Sequence, residues 1–360
     1  MISPEEHPDH KHNQSKPSFV QSFTEKVANA ESTQALLTVI DEIQHSRGNH
    51  SSRFNNIRML ATIIGAIALI IVVGIIADFD IMPMGITALV LGILIIIQQR
   101  APKNALNQLS KTIFQKQLLL VNQLSTSETD HVLFSLGALS TRFDEFTMGD
   151  SNRRLQTIAH GHFSGDFLSL NYHYFHFSYH LWEKQNKHSN SDAEKLTRHQ
   201  RYGLIIDLPK QSSAQFPKLQ KGDYYQVMTQ KPDSAKKLFE IPTYMPASLA
   251  FREQFFIMTN QDDHFSAKLL KPAVVVILES MNEQYQDLMI ELNDANELKI
   301  SFTSPSLLNP DSVKMNNQSR YNLSQPDAFK SELLAQSSSS ALHSLLLTIE
   351  HLLQEWDQNF

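Results

Sequence analysis

The chain has 360 residues, no cysteine, 37 acidic against 31 basic side chains and a formal net charge of -6. The missing cysteine excludes a disulfide framework, thiolate zinc sites and a cysteine nucleophile. The acidic balance gives no electrostatic ground for a nucleic-acid partner, which rewards a basic face.

Residues 1–17, MISPEEHPDHKHNQSKP, are polar and aperiodic, so a disordered tail is expected there, with His7, His10 and His12 as solvated side chains. Over 18–57 apolar residues recur at helical spacing: Phe19, Phe23 and Val27, then Leu36, Leu37, Ile40 and Ile43. Ser32-Thr33 reads as a helix start, so two amphipathic helices are expected. Residues 59–77 and 81–97 are apolar runs without a charge. Each approaches the roughly 20 residues that cross about 30 Å of hydrocarbon, which predicts a transmembrane helical hairpin over 58–98. Arg53, Arg58, Arg100, Lys103, Lys111 and Lys116 flank it, while Asp78-Phe79-Asp80 lies between the runs. Basic flanks stay inside, so both termini are expected in the cytoplasm.

A helical stalk is expected over 99–150, first on a stripe of Leu106, Leu109, Ile113, Leu120 and Leu124. A second stripe follows through Val132, Leu133, Leu136, Leu139, Phe143 and Phe146. A cytoplasmic α+β domain is expected over 151–310. It begins with strands, and NYHYFHFSYH at 171–180 raises the question of a metal site. Upstream, Gly165-Asp166 reads as a two-residue hairpin loop. That register sets His162 against Ser169, His160 against Asn171 and Ile158 against His173, so no two histidines pair. Strand parity puts His173 on one face and His176 and His180 on the other, which favours a strand over a ligand cluster. The apolar positions switch face after Tyr174, so a bulge near 174–175 is expected.

A polar loop follows, then the strand RYGLIIDLPK closed by Pro209. Further on, 255–258 reads as a strand, 265–281 as one helix, and 288–292 and 298–302 as strands around Asn293-Asp294. Residues 311–338 read as a linker and 339–360 as a C-terminal amphipathic helix. Its seam of Leu342, Leu345, Ile349, Leu352 and Trp356 is first of all expected to dock on its own domain, and binding a protein partner or self-association through it is the alternative.

IAHGHFSGDFLSL, RYGLIIDLPK, FREQFFIMTNQDDHFSAKLLKPAVVVILESM and LMIELNDANELKISF carry a resemblance. Over 151–302 the chain resembles the bacterial membrane-protein family known as domain of unknown function 3137. The carrying residues are Phe255–Ile257, Asp262 and Leu269-Leu270-Lys271-Pro272. The resemblance implies two spans ahead of a cytoplasmic domain, hence a bacterial inner-membrane location with the lipid bilayer as partner, and no agreed activity.

Asp262-Asp263-His264 lies between a strand and a helix start. It could serve acid–base work or a divalent ion, but a carboxylate there is first of all a helix cap. With His176 and His180 these three are the candidate metal ligands. No phosphate loop, nucleophile elbow or zinc-binding helix motif is found, so no catalytic residue or cofactor is assigned. The expected fold class is α+β: a two-helix transmembrane hairpin, then a mixed domain with a largely antiparallel sheet and a C-terminal amphipathic helix. The expected function is a binding or scaffolding module at the cell envelope. The alternatives are a membrane-tethered metal-dependent hydrolase and a homo-oligomeric structural membrane protein.

Overall fold

The computed structural model describes residues 19–49, 106–127, 132–184, 194–208, 216–229, 244–304, 306–308, 323, 325–336 and 338–357. In chain order the elements begin with helices α1 (Phe19–Ala28), α2 (Thr33–Asn49), α3 (106–121) and α4 (Leu136–Ser140) and a 3-10 turn at Asp144–Thr147. Strands β1 (Ser151–Ser164), β2 (Ser169–Lys184), β3 (Glu194–Asp207) and β4 (Tyr224–Met228) follow. Helix α5 (Leu249–Gln254), strand β5 (Phe256–Thr259) and helices α6 (Asp263–Leu269) and α7 (Pro272–Gln284) precede β6 (Met289–Asn293) and β7 (Glu297–Phe302). Helices α8 (Pro326–Ala335) and α9 (Ser340–Asp357) close the chain.

Two compact units divide these elements: Met1–Gln117 with Ser319–Gln336, and Leu118–Gln318 with Ser337–Phe360. The described residues of the first are helical. Ser32 caps α2, its Oγ accepting the Ala35 N–H at 3.2 Å. Phe23, Val27, Leu36, Ile40, Ile43, Ile113, Phe329 and Leu333 are buried and form its apolar interior. Gln117 Nε2 donates to the Leu333 carbonyl at 3.2 Å, and Lys330 pairs with Asp41.

The second unit is built on a seven-stranded antiparallel sheet in the order β1-β2-β3-β7-β6-β4-β5. Both faces are covered, but at different places. On one face Phe175, Phe177, Tyr179, Ile158 and Ile205 pack against Phe134, Leu139, Phe143 and Phe146 of the segment that carries α4 and the 3-10 turn. On the other face α9 lies with His343 against Phe163, their ring centroids 5.9 Å apart. Phe163, Leu170, Tyr172 and Tyr174 are buried on that side. The α9 seam of Leu342, Leu345, Ile349, Leu352 and Trp356 is buried within the same unit, and Trp356 Nε1 donates to the Leu269 carbonyl at 3.1 Å.

The α+β class and the antiparallel sheet stand; the membrane-embedded part of the expected fold does not. Among the described residues no helix is long and apolar enough to cross a membrane. The long helix α9 spends its apolar stripe inside the unit and carries Glu355 and Asp357 near its end. The hairpin expected over 58–98 lies outside the described residues. The two-span topology, the multi-pass inner-membrane location and the lipid bilayer as partner are corrected to an α+β chain with no membrane-crossing helix among its described residues.

Three local expectations are also corrected. The β1–β2 connection is four residues, 165–168, with Ser164 opposite Ser169, so His162 faces Asn171 and His160 faces His173. Two histidines do pair. The longer loop forms because Glu350 of α9 accepts the N–H groups of Phe167 and Leu168, both at 2.8 Å, and a Cβ on Gly165 would strike its carboxylate. Strand β2 runs without a bulge through 174–175, in unbroken register with β3. Its buried side chains change face because the covers change; the irregularities lie in β1, after Ser151 and after Leu155. Finally, the helix expected over 265–281 is two helices. Pro272 lacks an N–H and drives Lys271 to ψ 162, ending α6 and starting α7.

Gly203 sits where strand β3 meets β7, and a side chain there would collide with the Ile300 carbonyl and the Phe175 ring. Gly203→Ala is expected to cost about 1–3 kcal/mol through overpacking, read as a lowered urea midpoint with an unchanged slope.

Candidate functional site: the exposed end of a two-stranded arm

Strands β2 and β3 outrun their neighbours. They pair from Tyr172↔Ile206 to Lys184↔Glu194, whereas β7 pairs only with Tyr202–Asp207 and β1 reaches no further than His180. Strand β7 leaves β3 because Thr303 donates to the Gln286 carbonyl at 2.9 Å and Gln286 donates to that of Ser304 at 2.9 Å. The far half of the hairpin is therefore an arm beyond the body of the sheet. Stacked rings stiffen it: His176 on Tyr202 at 4.5 Å and Tyr179 on His199 at 5.3 Å.

Alternation sorts the arm's side chains. On the face shared with Tyr174, the cross-strand pairs are His176–Tyr202, Ser178–Gln200, His180–Arg198 and Trp182–Leu196. Strand β1 adds Arg154, opposite Ser178, while Gln156 donates to the Ser178 hydroxyl at 2.9 Å. Trp182 and Leu196, direct partners, are 53% and 37% exposed. The charged groups among the described side chains of this face are cationic, Arg154 and Arg198. Burial, and secondarily Arg198, lowers the His176 imidazole to about 4, against the opposing effect of its hydrogen bond to the Gln200 side chain. His176 is therefore neutral through the physiological range, a polar aromatic rather than a charge.

The candidate metal ligands are dispersed. His176 lies under Tyr202 and His180 opposite Arg198 on β2, the second strand of the sheet. Asp262, Asp263 and His264 stand at the start of α6, beyond β5 at the opposite edge. There Asp262 caps the helix, accepting the Phe265 N–H at 2.7 Å, and Asp263 accepts that of Tyr244 at 2.8 Å. His173, on the other face, stacks on Phe134 at 3.8 Å, and His160 contacts the Ser125 hydroxyl at 2.6 Å. Among the described residues no group of three histidine or carboxylate side chains could hold an ion.

The strongest polar constellation is one that sequence reasoning missed. Glu145 of the 3-10 turn points into the sheet centre, pairing with Arg201 Nε and standing 3.0 Å from Lys299 Nζ. Lys299 also donates to Glu291 at 2.6 Å, Ser301 to Glu145 at 2.7 Å, and Gln226 to Glu291 at 3.0 Å. Lys299 and Glu145 are 0% exposed. Burial acts to raise the Glu145 carboxyl, but Arg201, Lys299 and the Ser301 hydroxyl hold it down at about 2. At Glu291 burial wins and the carboxyl is raised, despite Lys299. Sealed and charge-balanced, this quartet presents no group to a reactant; it fastens the turn to β3, β6 and β7. The legible signal was a lysine and a glutamate set inside apolar strands, ELKISF and LMIELN, whose hairpin register makes Glu291 and Lys299 direct partners.

No family model, curated protein or solved structure matches the chain. The resemblance to the family of unknown function is corrected accordingly: its motifs are apolar strand and turn residues, which antiparallel sheets share on physical grounds. The envelope-scaffold, membrane-tethered hydrolase and structural membrane-protein readings are corrected likewise, since no helix among the described residues is long and apolar enough to cross a membrane.

Removing Lys299 strands the buried Glu291 carboxylate and takes one of two cations from Glu145. Lys299→Met is expected to cost about 3–5 kcal/mol, measured by urea unfolding followed through tryptophan fluorescence. The Glu145 carboxyl is depressed, so its stabilisation is present above the ordinary glutamate range and lost as pH falls from about 4.3 toward about 2. The stability gap between wild type and Glu145→Gln should narrow across that window; a gap constant with pH would refute the ionised assignment.

Proposed function

We propose that this chain is a protein-binding module whose contact surface is the exposed end of the β2–β3 arm. One observation carries this reading: Trp182 lies directly opposite Leu196, both exposed, beside Arg198 on a rigid strand pair. Tryptophan and arginine dominate the energetics of protein interfaces, because one offers large rigid apolar area and the other a planar hydrogen-bonding fork. A ring so exposed on a two-stranded arm gains little for folding and much for a partner that dries it. The net charge of -6 sets this surface apart from a nucleic-acid groove, which draws on a broad basic field.

A photoreactive phenylalanine analogue placed at position 196, and separately at the exposed Leu249 of α5, tests the assignment in the native cell. A discrete protein adduct from position 196, lost on Arg198→Glu and missing from position 249, is the expected result. Equal smears from both positions, or an adduct indifferent to Arg198→Glu, would refute it.

A further inference from the structure

Resting on that reading, we infer that the partner is an acidic segment in extended conformation, which joins the sheet as an added strand along β3. Two observations converge. Among the described residues no strand pairs with β3 ahead of Tyr202 on the β7 side, leaving 194–200 as a sheet edge of about 20 Å at roughly 3.3 Å per residue. Such an edge presents alternate backbone N–H and carbonyl groups to a new strand. The opposite margin of the arm is closed at the matching level, where Asp150 accepts the Trp182 N–H at 3.0 Å.

Direction follows from the ladder. Strand β7 is antiparallel to β3 and ends at Tyr202, so a strand in line with β7 meets Arg198, Thr197, Leu196 and Lys195 in its own N-to-C order. Side chains opposite each other share a face. The residue opposite Arg198 is then acidic, and the next, against Thr197, is β-branched. The third is large and apolar, packing on Leu196 and Trp182. The fourth, against Lys195, is acidic. Acid, β-branched, large apolar, acid is the recognition pattern. A second copy of this chain is the poorer occupant, since exposed Lys195 and Arg198 along an edge repel a like edge.

The test uses the full chain and a short fluorescent peptide with a Glu-Val-Phe-Glu core, a scrambled peptide, the same peptide N-methylated along its backbone, and single-stranded oligothymidine. The core peptide is expected to bind, with at least about tenfold weakening for the scramble, for N-methylation, for Trp182→Ala and for Arg198→Glu. Amide hydrogen exchange at 194–200 should slow on binding. Equal binding of the scramble, or binding without slowed exchange, overturns strand addition; if Trp182→Ala still weakens it, the binding face itself stands. Oligothymidine binding that depends on Trp182, with no peptide binding, overturns the acidic segment and keeps the face as a site. Failure of every probe, together with adducts at position 196 that ignore Arg198→Glu, overturns both.

Discussion

Lys299 sits between Glu145 and Glu291 at the centre of the sheet, 3.0 Å from one carboxylate and 2.6 Å from the other. The fold's arrangement turns on this contact. A buried ammonium has no stable place without countercharge, and two buried carboxylates have none without cations. Three strands and the 3-10 turn must therefore arrive together. Apolar packing alone leaves a segment such as 134–148 several ways to lie on a sheet. Glu145 removes that freedom, since only one placement satisfies Arg201, Lys299 and Ser301 at once. The phenylalanines then supply the area: Phe146 meets Phe175 and Phe177 edge-on, at 5.1 and 5.3 Å.

Fastening the inner sheet has a consequence for the arm. Arg201 belongs to the charge quartet and Tyr202 is the last β3 residue paired by β7, so the hairpin leaves the body of the sheet from a fixed root. Stacking of His176 on Tyr202 and of Tyr179 on His199 carries that stiffness outward on both faces. A surface held this way loses little conformational entropy on binding, which is the ordinary route by which a small patch gains affinity. The second anchoring point is at the other end of β2. There Glu350 grips the β1–β2 loop, and Gly165 gives its carboxylate room.

What the sequence reveals about this fold follows the range of the forces involved. The β6–β7 hairpin, the strands of the histidine-rich segment, the start of α2 at Ser32 and the cap at Asp262 rest on neighbours a few residues apart, and local pattern finds them. The break before Pro272 was equally local; apolar periodicity running through Leu269 and Val274 masked it, although the proline alone forbids a continuous helix. The register of β1 on β2 was not local at all. Its loop length depends on Glu350, 183 residues from Phe167, so the Gly165-Asp166 signature pointed to a tighter turn than the one formed. The charge quartet draws on positions 145, 201, 291 and 299, and no window along the chain holds more than two of them.

The histidines show the same limit from the side of function. Three of them within 171–180 suggest ligands by type, yet ligation needs convergence, and strand parity sends His173 and His176 to opposite faces. Each then finds an aromatic neighbour, Phe134 or Tyr202, and His176 is held neutral by burial. They build the arm. Trp182 and Leu196, which drew no notice as sequence, become distinctive only once the ladder makes them partners beyond the last covered rung. Exposure, not residue type, separates this end of the sheet from its packed centre, and exposure is a property that only the assembled strands possess.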